Sequence, residues 1–154
     1  MKEINQLYKK QVEHELSTIE DIRTEVLNID KIEKKVLSFL SDLGRVGEES
    51  QCFSFWDSYA TIDEDSLKEA YLSGLQMLLS IGFELHIDSI KNYNELQNTI
   101  PLTSQFIKVY QNALKINTSY NFEDYQDTVD DYLSLGFKLG IDFEEMINDY
   151  KERF

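Results

Sequence analysis

Acidic side chains near one helix end are the first candidates for chemistry in this sequence. In the stretch SDLGRVGEESQCFSFW, residues 41–56, Asp42 and Glu49 are seven positions apart and share a helix face. A Mg²⁺ site needs several oxygen ligands that converge at short range, and carboxylates provide them. Arg45 lies between the two acids on that face, so its charge replaces charge that a metal ion would otherwise supply. From these residues alone, a surface ion-pair network of Arg45 with Asp42, Glu48 or Glu49 is the favoured interpretation.

A metal site would also need ligands from the next helix, which is predicted over 62–81. Near its middle this segment offers Glu69, Ala70 and Ser73. Ala70 and Ser73 have the i, i+3 spacing that aims two side chains at one point. Neither side chain is a useful Mg²⁺ ligand, so Glu69 is the metal-ligand candidate on this helix.

Three aromatic residues, Phe53, Phe55 and Trp56, follow the acidic stretch. Their rings could stack on a nucleotide base, or they could close one end of a helical bundle, which is the commoner use. The polar tips of Trp56 and Tyr59 suit a pocket rim or a subunit interface. The sequence leaves these alternatives open.

The elements that must position these side chains are all helical. Apolar residues recur at helical spacing, and no segment has the alternation expected of a β-strand. We therefore predict one all-α domain over residues 1–154, a bundle of about six helices. The predicted helices cover 2–27, Asp30 to near Gly47, 62–81, 101–116, 121–139 and 143–153. Residues 84–100 are predicted to be irregular, with room for a short helix.

Short polar motifs and glycines predict where these helices begin and end. Asparagine or aspartate can cap a helix start, proline suits a first turn, and glycine commonly follows a helix end. The predicted signals are Asp30 with Glu33, Thr61 with Glu64, Pro101, Asn121 and Asp142 with Glu145 for starts, and Gly82 for the end of the third helix.

The sequence also contains an internal repeat. LLSIGFELHID at 78–88 returns as YLSLGFKLGID at 132–142, offset by 54 positions, with seven of eleven residues identical. We favour a duplicated helical hairpin over two helix ends that converged on the same stop signals. The offset places Asp124 and Asp127 where the first copy has Ala70 and Ser73. A solvent-exposed acidic face is the favoured interpretation of these aspartates, and a relocated metal site is the alternative.

Composition narrows the function classes. The net charge of −14 disfavours direct nucleic-acid binding, which requires lysine and arginine to neutralise phosphates. An anionic small ligand would need a divalent cation as mediator, whereas a basic partner protein would be attracted. Cys52 is the only cysteine, which excludes an internal disulfide and a cysteine zinc site. No apolar segment predicts a signal peptide or a membrane span, so we expect a cytoplasmic protein.

Two blocks resemble a known family. SFLSDLGRVGEESQCFSFW and EAYLSGLQMLLSIGFEL are similar to the dimeric dUTPases of the all-α NTP pyrophosphohydrolase superfamily, which includes MazG-like proteins, and the likeness is good over 31–85. The ending LGIDFEEMINDYKERF is similar to the C-terminal segment of that family. The resemblance implies an all-α homodimer in which the pattern E-x-x-E, followed by E-x-x-D, holds the Mg²⁺ ions that bind the triphosphate and activate water.

In this sequence those four family positions fall on Asp42, Arg45, Ala70 and Ser73, so one carboxylate remains. We therefore predict a dUTPase homologue with a degenerate Mg²⁺ site, a non-catalytic homodimer that binds a nucleotide or a partner protein.

In the degenerate homologue, Arg45, Phe55 and Trp56 are the predicted nucleotide-binding residues. One alternative is an active Mg²⁺-dependent dUTP or NTP pyrophosphatase with a rebuilt site. Its predicted ligands are Asp42, Glu49 and Glu69, joined by Glu48, Asp124 and Asp127. The other alternative is an acidic interaction module for a basic partner.

Overall fold

The computed structural model describes residues 3–18, 26–53, 61–93 and 99–153, and across these ranges it is built from six helices and no strands. The all-α prediction is therefore confirmed. The helices are α1 Ile4–Thr18, α2 Ile29–Ser50, α3 Glu64–Glu84, α4 Leu102–Ser119, α5 Phe122–Lys138 and α6 Phe143–Glu152.

The helix starts are set by side-chain caps. Asn121 and Asp142 cap α5 and α6 as predicted, each accepting a hydrogen bond from a backbone N–H in the first turn. The predicted starts of α2 and α3 were wrong by a small margin. Asn28, and not Asp30, caps α2, and Asp63, and not Thr61, caps α3.

The helices pair into two hairpins that pack on each other. α2 packs against α3 and α4 against α5, while α2 also contacts α4 and α3 contacts α5. α1 and α6 pack against α3 and against each other, so α3 touches four of the other five described helices. Its buried residues extend from Leu67 to Glu84, which places α3 at the centre of the core.

The two hairpins make equivalent interactions in the core. The Tyr71 hydroxyl donates to the backbone oxygen of Tyr132 over 2.8 Å, and the Tyr125 hydroxyl donates to that of Leu78 over 2.9 Å. Both the donors and the acceptors differ by the offset of 54 positions found in the sequence repeat. Tyr71 lies against Gly136 and Tyr125 against Gly82, again one offset apart. The repeat is thus expressed as approximate twofold symmetry between α3 and α5.

The two repeat segments also end their helices in the same way. His86 and Gly140 have φ of 59° and 77°, and the following residues, Ile87 and Ile141, donate back to the oxygens of Gly82 and Gly136. The prediction that Gly82 ends α3 was wrong, because the helix continues to Glu84. Gly82 lacks a side chain for packing: a Cβ there would lie 2.7 Å from the rings of Tyr125 and Tyr8.

Candidate functional site

The sequence-predicted site centres on a contact between α2 and α3. The Ser73 hydroxyl of α3 lies near the Asp42 carboxyl of α2 and favours its ionised form, which lowers its pKa. The neighbouring Gly74 has no side chain to separate the helices, and a Cβ at that position would lie 3.6 Å from the Cβ of Asp42. The family positions Asp42 and Ser73 therefore lie close together where α2 meets α3.

Burial and charge act on Asp42 in opposite directions. Burial raises the pKa of the Asp42 carboxyl above its ordinary value, although the Arg45 guanidinium and the Ser73 hydroxyl both favour its ionised form. Arg45 is exposed, and within the described residues it forms no direct ion pair. Among the described residues, the predicted ion-pair network around Arg45 is therefore not found. Arg45 acts on Asp42 only through its charge, which lowers the pKa of the carboxyl.

The third family position, Ala70, contributes no metal ligand. Ala70 is fully buried in the core cluster, one turn before Ser73 and Gly74 on α3. Asp42, Arg45, Ala70 and Ser73 thus lie where α2 meets α3, and among them there is one carboxylate and one guanidinium.

The other acidic candidates have different surroundings. Glu69 forms an ion pair with Arg153 near the C-terminal end of α6, and Arg153 also donates to the Gln76 amide oxygen over 3.0 Å. Glu49 is half-buried on α2, and Glu48 is exposed. The structure brings Asp42 together with Ser73, and it joins Glu69 to α6 instead.

The aspartates of the second repeat contact α4 or solvent. Asp127 is exposed, and the backbone N–H of Asp124 donates to the cap residue Asn121 over 2.8 Å. Asp131, on the same helix, is ion-paired with Lys108 at 3.3 Å and accepts a hydrogen bond from Asn112. Burial raises the pKa of Asp131 above its ordinary value despite the Lys108 ammonium.

The aromatic candidates are only partly described. Phe55 and Trp56, as well as Tyr59, lie outside the described residues. Phe53 is 45% exposed, and its ring lies 3.0 Å from the position that a Cβ on Gly47 would occupy.

The described donor set does not fit a Mg²⁺ ion. In ranges 3–18, 26–53, 61–93 and 99–153, no three His, Cys, Asp or Glu side chains are placed to hold a metal together. Mg²⁺ in proteins is bound through carboxylate, carbonyl and water oxygens around an octahedron. At the α2–α3 contact one half-buried carboxylate faces a hydroxyl and a cation, so we derive no metal-dependent step from this site.

A polar cleft beside the contact was not foreseen from the sequence. It measures about 290 Å³ and lies between α1 and α3, with Gln11, His14, Ser73 and Gln76 in its lining. Ser73 therefore belongs both to the Asp42 contact and to this cleft. Besides His14, the lining includes the Glu15 carboxylate, so the cleft suits a small polar molecule and supplies no activated nucleophile.

A charged cluster next to the cleft joins three helices. The Lys35 ammonium of α2 lies 2.9 Å from Glu84 of α3 and 3.6 Å from Glu15 of α1, and it donates to the Ser80 hydroxyl over 2.6 Å. Burial opposes ionisation of Glu15, yet the hydrogen bond from Ser80 and the charge of Lys35 together lower its pKa below the ordinary value. The only hint in the sequence was a glutamate, Glu84, within the apolar run LLSIGFEL.

Tyr132 is a second neighbour of Asp42 that the sequence did not identify. Its ring stacks on Tyr71 with centroids 4.4 Å apart, and its hydroxyl donates to the Tyr71 backbone oxygen over 2.6 Å. The pKa of Tyr132 is raised well above its ordinary value. Burial is the largest cause, and the neighbouring Tyr71 and Asp42 add to it. The hydroxyl is therefore a fixed core donor and not an acid or base for catalysis.

Comparison with known proteins gives one family. No curated protein and no solved structure matches the chain, and no helix among the described residues is both long and apolar enough to cross a bilayer. A family model described as dUTPase matches residues 3–154, which is nearly the full sequence. The match agrees with the six-helix architecture and with the paired blocks on α2 and α3. This chain belongs to the all-α dUTPase family.

Proposed function

We propose that this dUTPase-family protein has lost metal-dependent hydrolysis and acts as a homodimer that binds a nucleotide without cleaving it. One observation carries the proposal: of the four family positions at the α2–α3 contact, Asp42 is the only carboxylate, and its neighbours there are the Ser73 hydroxyl and the Arg45 guanidinium. Hydrolysis of a triphosphate by the family's route needs several carboxylates to hold Mg²⁺ near the attacking water. A guanidinium in their place binds phosphate but does not lower the pKa of water.

Arg45 is suited to meet a phosphate directly. Its side chain is exposed and has no ion-pair partner among the described residues. The planar guanidinium offers paired N–H donors that match two phosphate oxygens. The cleft between α1 and α3 adjoins the Asp42 contact through Ser73. Its amide and hydroxyl groups and the His14 imidazole provide polar partners for a ligand beside the Glu15 carboxylate.

Nucleotide hydrolysis by the purified protein is the decisive measurement. We expect no release of pyrophosphate from dUTP above the buffer control, with either Mg²⁺ or Mn²⁺ present. Robust Mg²⁺-dependent formation of dUMP that Asp42→Ala abolishes would sink the proposal. It would support instead the active enzyme with a rebuilt carboxylate site that includes Glu48 and Glu49.

Binding is measured separately by calorimetry with dUDP and a non-hydrolysable dUTP analogue, in the absence of divalent cations. Arg45→Gln should weaken binding, because it removes the charge that meets the phosphate. Arg153→Gln is the charge-matched control, since Arg153 lies on the α3–α6 side and pairs with Glu69. Equal loss of affinity in both variants would show that net charge, and not a site at Arg45, governs binding.

The acidic surface favours a second ligand class. α5 and α6 carry nine acidic residues against two lysines, and such a surface attracts basic proteins. If dUDP and the analogue do not bind, a basic partner protein whose affinity falls steeply with salt is the next candidate.

A further inference from the structure

A second cleft lies between α3 and α6, and it has no lining residue in common with the cleft between α1 and α3. Its volume is about 330 Å³. The floor is apolar, because Leu72 of α3, Met146 of α6 and Ile141 just before α6 are buried core residues that line it. We call it the α3–α6 cleft. An apolar floor of this kind can accept an aliphatic group from a ligand.

The rim of the α3–α6 cleft is charged, and acidic groups outnumber basic ones. Five carboxylates line it against two cations, an excess of three negative charges. The acidic residues are Asp65 and Glu69 on α3 and Glu145, Asp149 and Glu152 on α6, and the basic residues are Lys68 and Arg153. Because acids line both walls, α3 and α6 present like charges to each other, and a cation between them reduces that repulsion.

The position of Lys68 shows that the rim can hold an ammonium group. Lys68 of α3 forms an ion pair with Glu145 of α6. The hydrogen bond to Glu145 is the largest cause that raises the pKa of Lys68. The charges of Asp149 and Asp65 raise it further, so both lie close to the same ammonium group. Carboxylates from the two helices therefore converge on a cation that lies between them.

Most of the carboxylates on the rim are not engaged in ion pairs. Two of the five are paired, one with each basic residue of the rim. The other three, Asp65, Asp149 and Glu152, form no ion pair with any residue that the structure describes. A cationic ligand can therefore bind here without first breaking an internal ion pair.

The combination of charge and apolar floor selects the class of ligand. A metal ion does not fit, because no three His, Cys, Asp or Glu side chains among the described residues are placed to hold one. Nucleic acid is repelled, because its phosphates have the same sign of charge as the rim. Lysine and arginine side chains do fit, since each carries a cationic head on an aliphatic stem that can lie along apolar surface.

We propose that the α3–α6 cleft binds a basic segment of a partner protein, in which an arginine and a lysine flank an aliphatic residue. The cationic heads pair with the unengaged carboxylates, and the aliphatic side chain lies on the apolar floor. The inference goes beyond nucleotide binding and gives a site to the basic partner named above as the second ligand class. The cleft does not include Asp42 or Arg45, so failure of nucleotide binding and failure of peptide binding are recognised separately.

The test is fluorescence anisotropy of a labelled peptide titrated with the full chain at about 150 mM salt, where distant charges are screened. The peptide has a leucine between an arginine and a lysine, flanked by glycines and blocked at both ends. Wild type should bind it. Asp65→Asn combined with Asp149→Asn should weaken binding roughly fivefold, because two charge pairs are lost.

Glu33→Gln combined with Glu123→Gln is the matched control, because it changes the net charge by the same amount. Both glutamates are exposed, on α2 and α5, and neither lines the cleft. The control should bind as wild type does, and both double variants should keep the helical circular dichroism spectrum. No binding by wild type, unchanged affinity in the Asp65 and Asp149 variant, or equal losses in both variants would overturn the proposal.

A second comparison uses wild type alone and tests the apolar floor. Serine in place of the peptide's leucine leaves its charge unchanged and should weaken binding, because the aliphatic contact is lost. Putrescine carries the same two positive charges as the peptide without an aliphatic side chain, and it should compete only at much higher concentration. Equal affinity for the leucine and serine peptides, or competition by putrescine at the concentration of the peptide, would show that the cleft responds to charge alone and contradict the proposal.

Discussion

Two substitutions should convert the Asp42 contact into a divalent-cation site. Ser73 and Arg45 are both close enough to Asp42 to lower the pKa of its carboxyl. Arg45→Glu combined with Ser73→Asp therefore places three carboxylates around one point. A divalent cation needs several oxygen ligands, and the wild-type contact offers only one carboxylate. The design leaves Ala70 unchanged because that residue is fully buried in the core.

Without metal, the double variant should be less stable than wild type. Each new like-charge pair at about 4 Å costs roughly 1 kcal/mol in a water-like dielectric, and the attraction to Arg45 is lost as well. A total of about 2–3 kcal/mol corresponds to a fall in Tm of roughly 5–10 °C for a chain of about this length. Free Mg²⁺ at about ten times its Kd should restore about 1.4 kcal/mol by mass action.

Thermal melts followed by circular dichroism, with sodium chloride added to match ionic strength, measure both effects. Isothermal calorimetry with Mg²⁺ alone gives the affinity directly. Adding Asp42→Asn to the double variant removes one ligand and should abolish the Mg²⁺-dependent rise in Tm. An equal rise in wild type would refute the reasoning, since an intact metal site would then already exist. No rise in the double variant would show that the three side chains do not converge.

Three further predictions concern stability. Because burial raises the pKa of Asp42, its contribution to stability is full below the unfolded pKa and is lost as pH rises through the folded value. Asp42→Asn should therefore stabilise the protein at neutral pH and lose that advantage below about pH 4, which urea melts across this range would test. Lys35→Met leaves Glu15 without its lysine and Glu84 with Lys31 alone, and it should cost about 3 kcal/mol at neutral pH. The cost should shrink in acid as the carboxylates protonate, and an unchanged cost would contradict the assignment. Gly136→Ala places a Cβ 2.7 Å from the Tyr71 ring and should destabilise by about 1–3 kcal/mol in guanidinium melts.

The sequence predicted that the chain forms six helices more accurately than it predicted the residues at which those helices begin and end. Helical spacing is repeated over many residues, so the six helices were predicted despite errors at single positions. A helix start rests on one or two side chains, and neighbouring candidates compete: Asn28 caps α2 although Asp30 also had a suitable spacing. Gly82 carried a stop signal in the sequence, but in the structure it provides the space that Tyr125 needs.

The candidate site was predictable only from the resemblance of two sequence blocks to a known family. That resemblance places Asp42 and Ser73 in one site, and in the structure they lie close together where α2 packs against α3. The contact of Lys35 with Glu84 is different. It joins residues 49 positions apart, and it depends on how far α2 is shifted along α3, which no local pattern encodes. The same holds for Glu69, whose partner Arg153 is 84 positions away.

The exchange of tyrosines between the hairpins has a consequence for how the chain folds. Tyr71 finds its acceptor 61 positions away and Tyr125 finds its acceptor 47 positions away, each on the opposite hairpin. Neither hairpin alone can satisfy its buried hydroxyl or fill the space above its own glycine. The two halves of the repeat must therefore meet before either is complete, which favours a single cooperative transition over independent folding of the hairpins. Contacts of such long sequence separation also slow the search for the native state, so a helical protein of this design should fold more slowly than its helix content alone suggests.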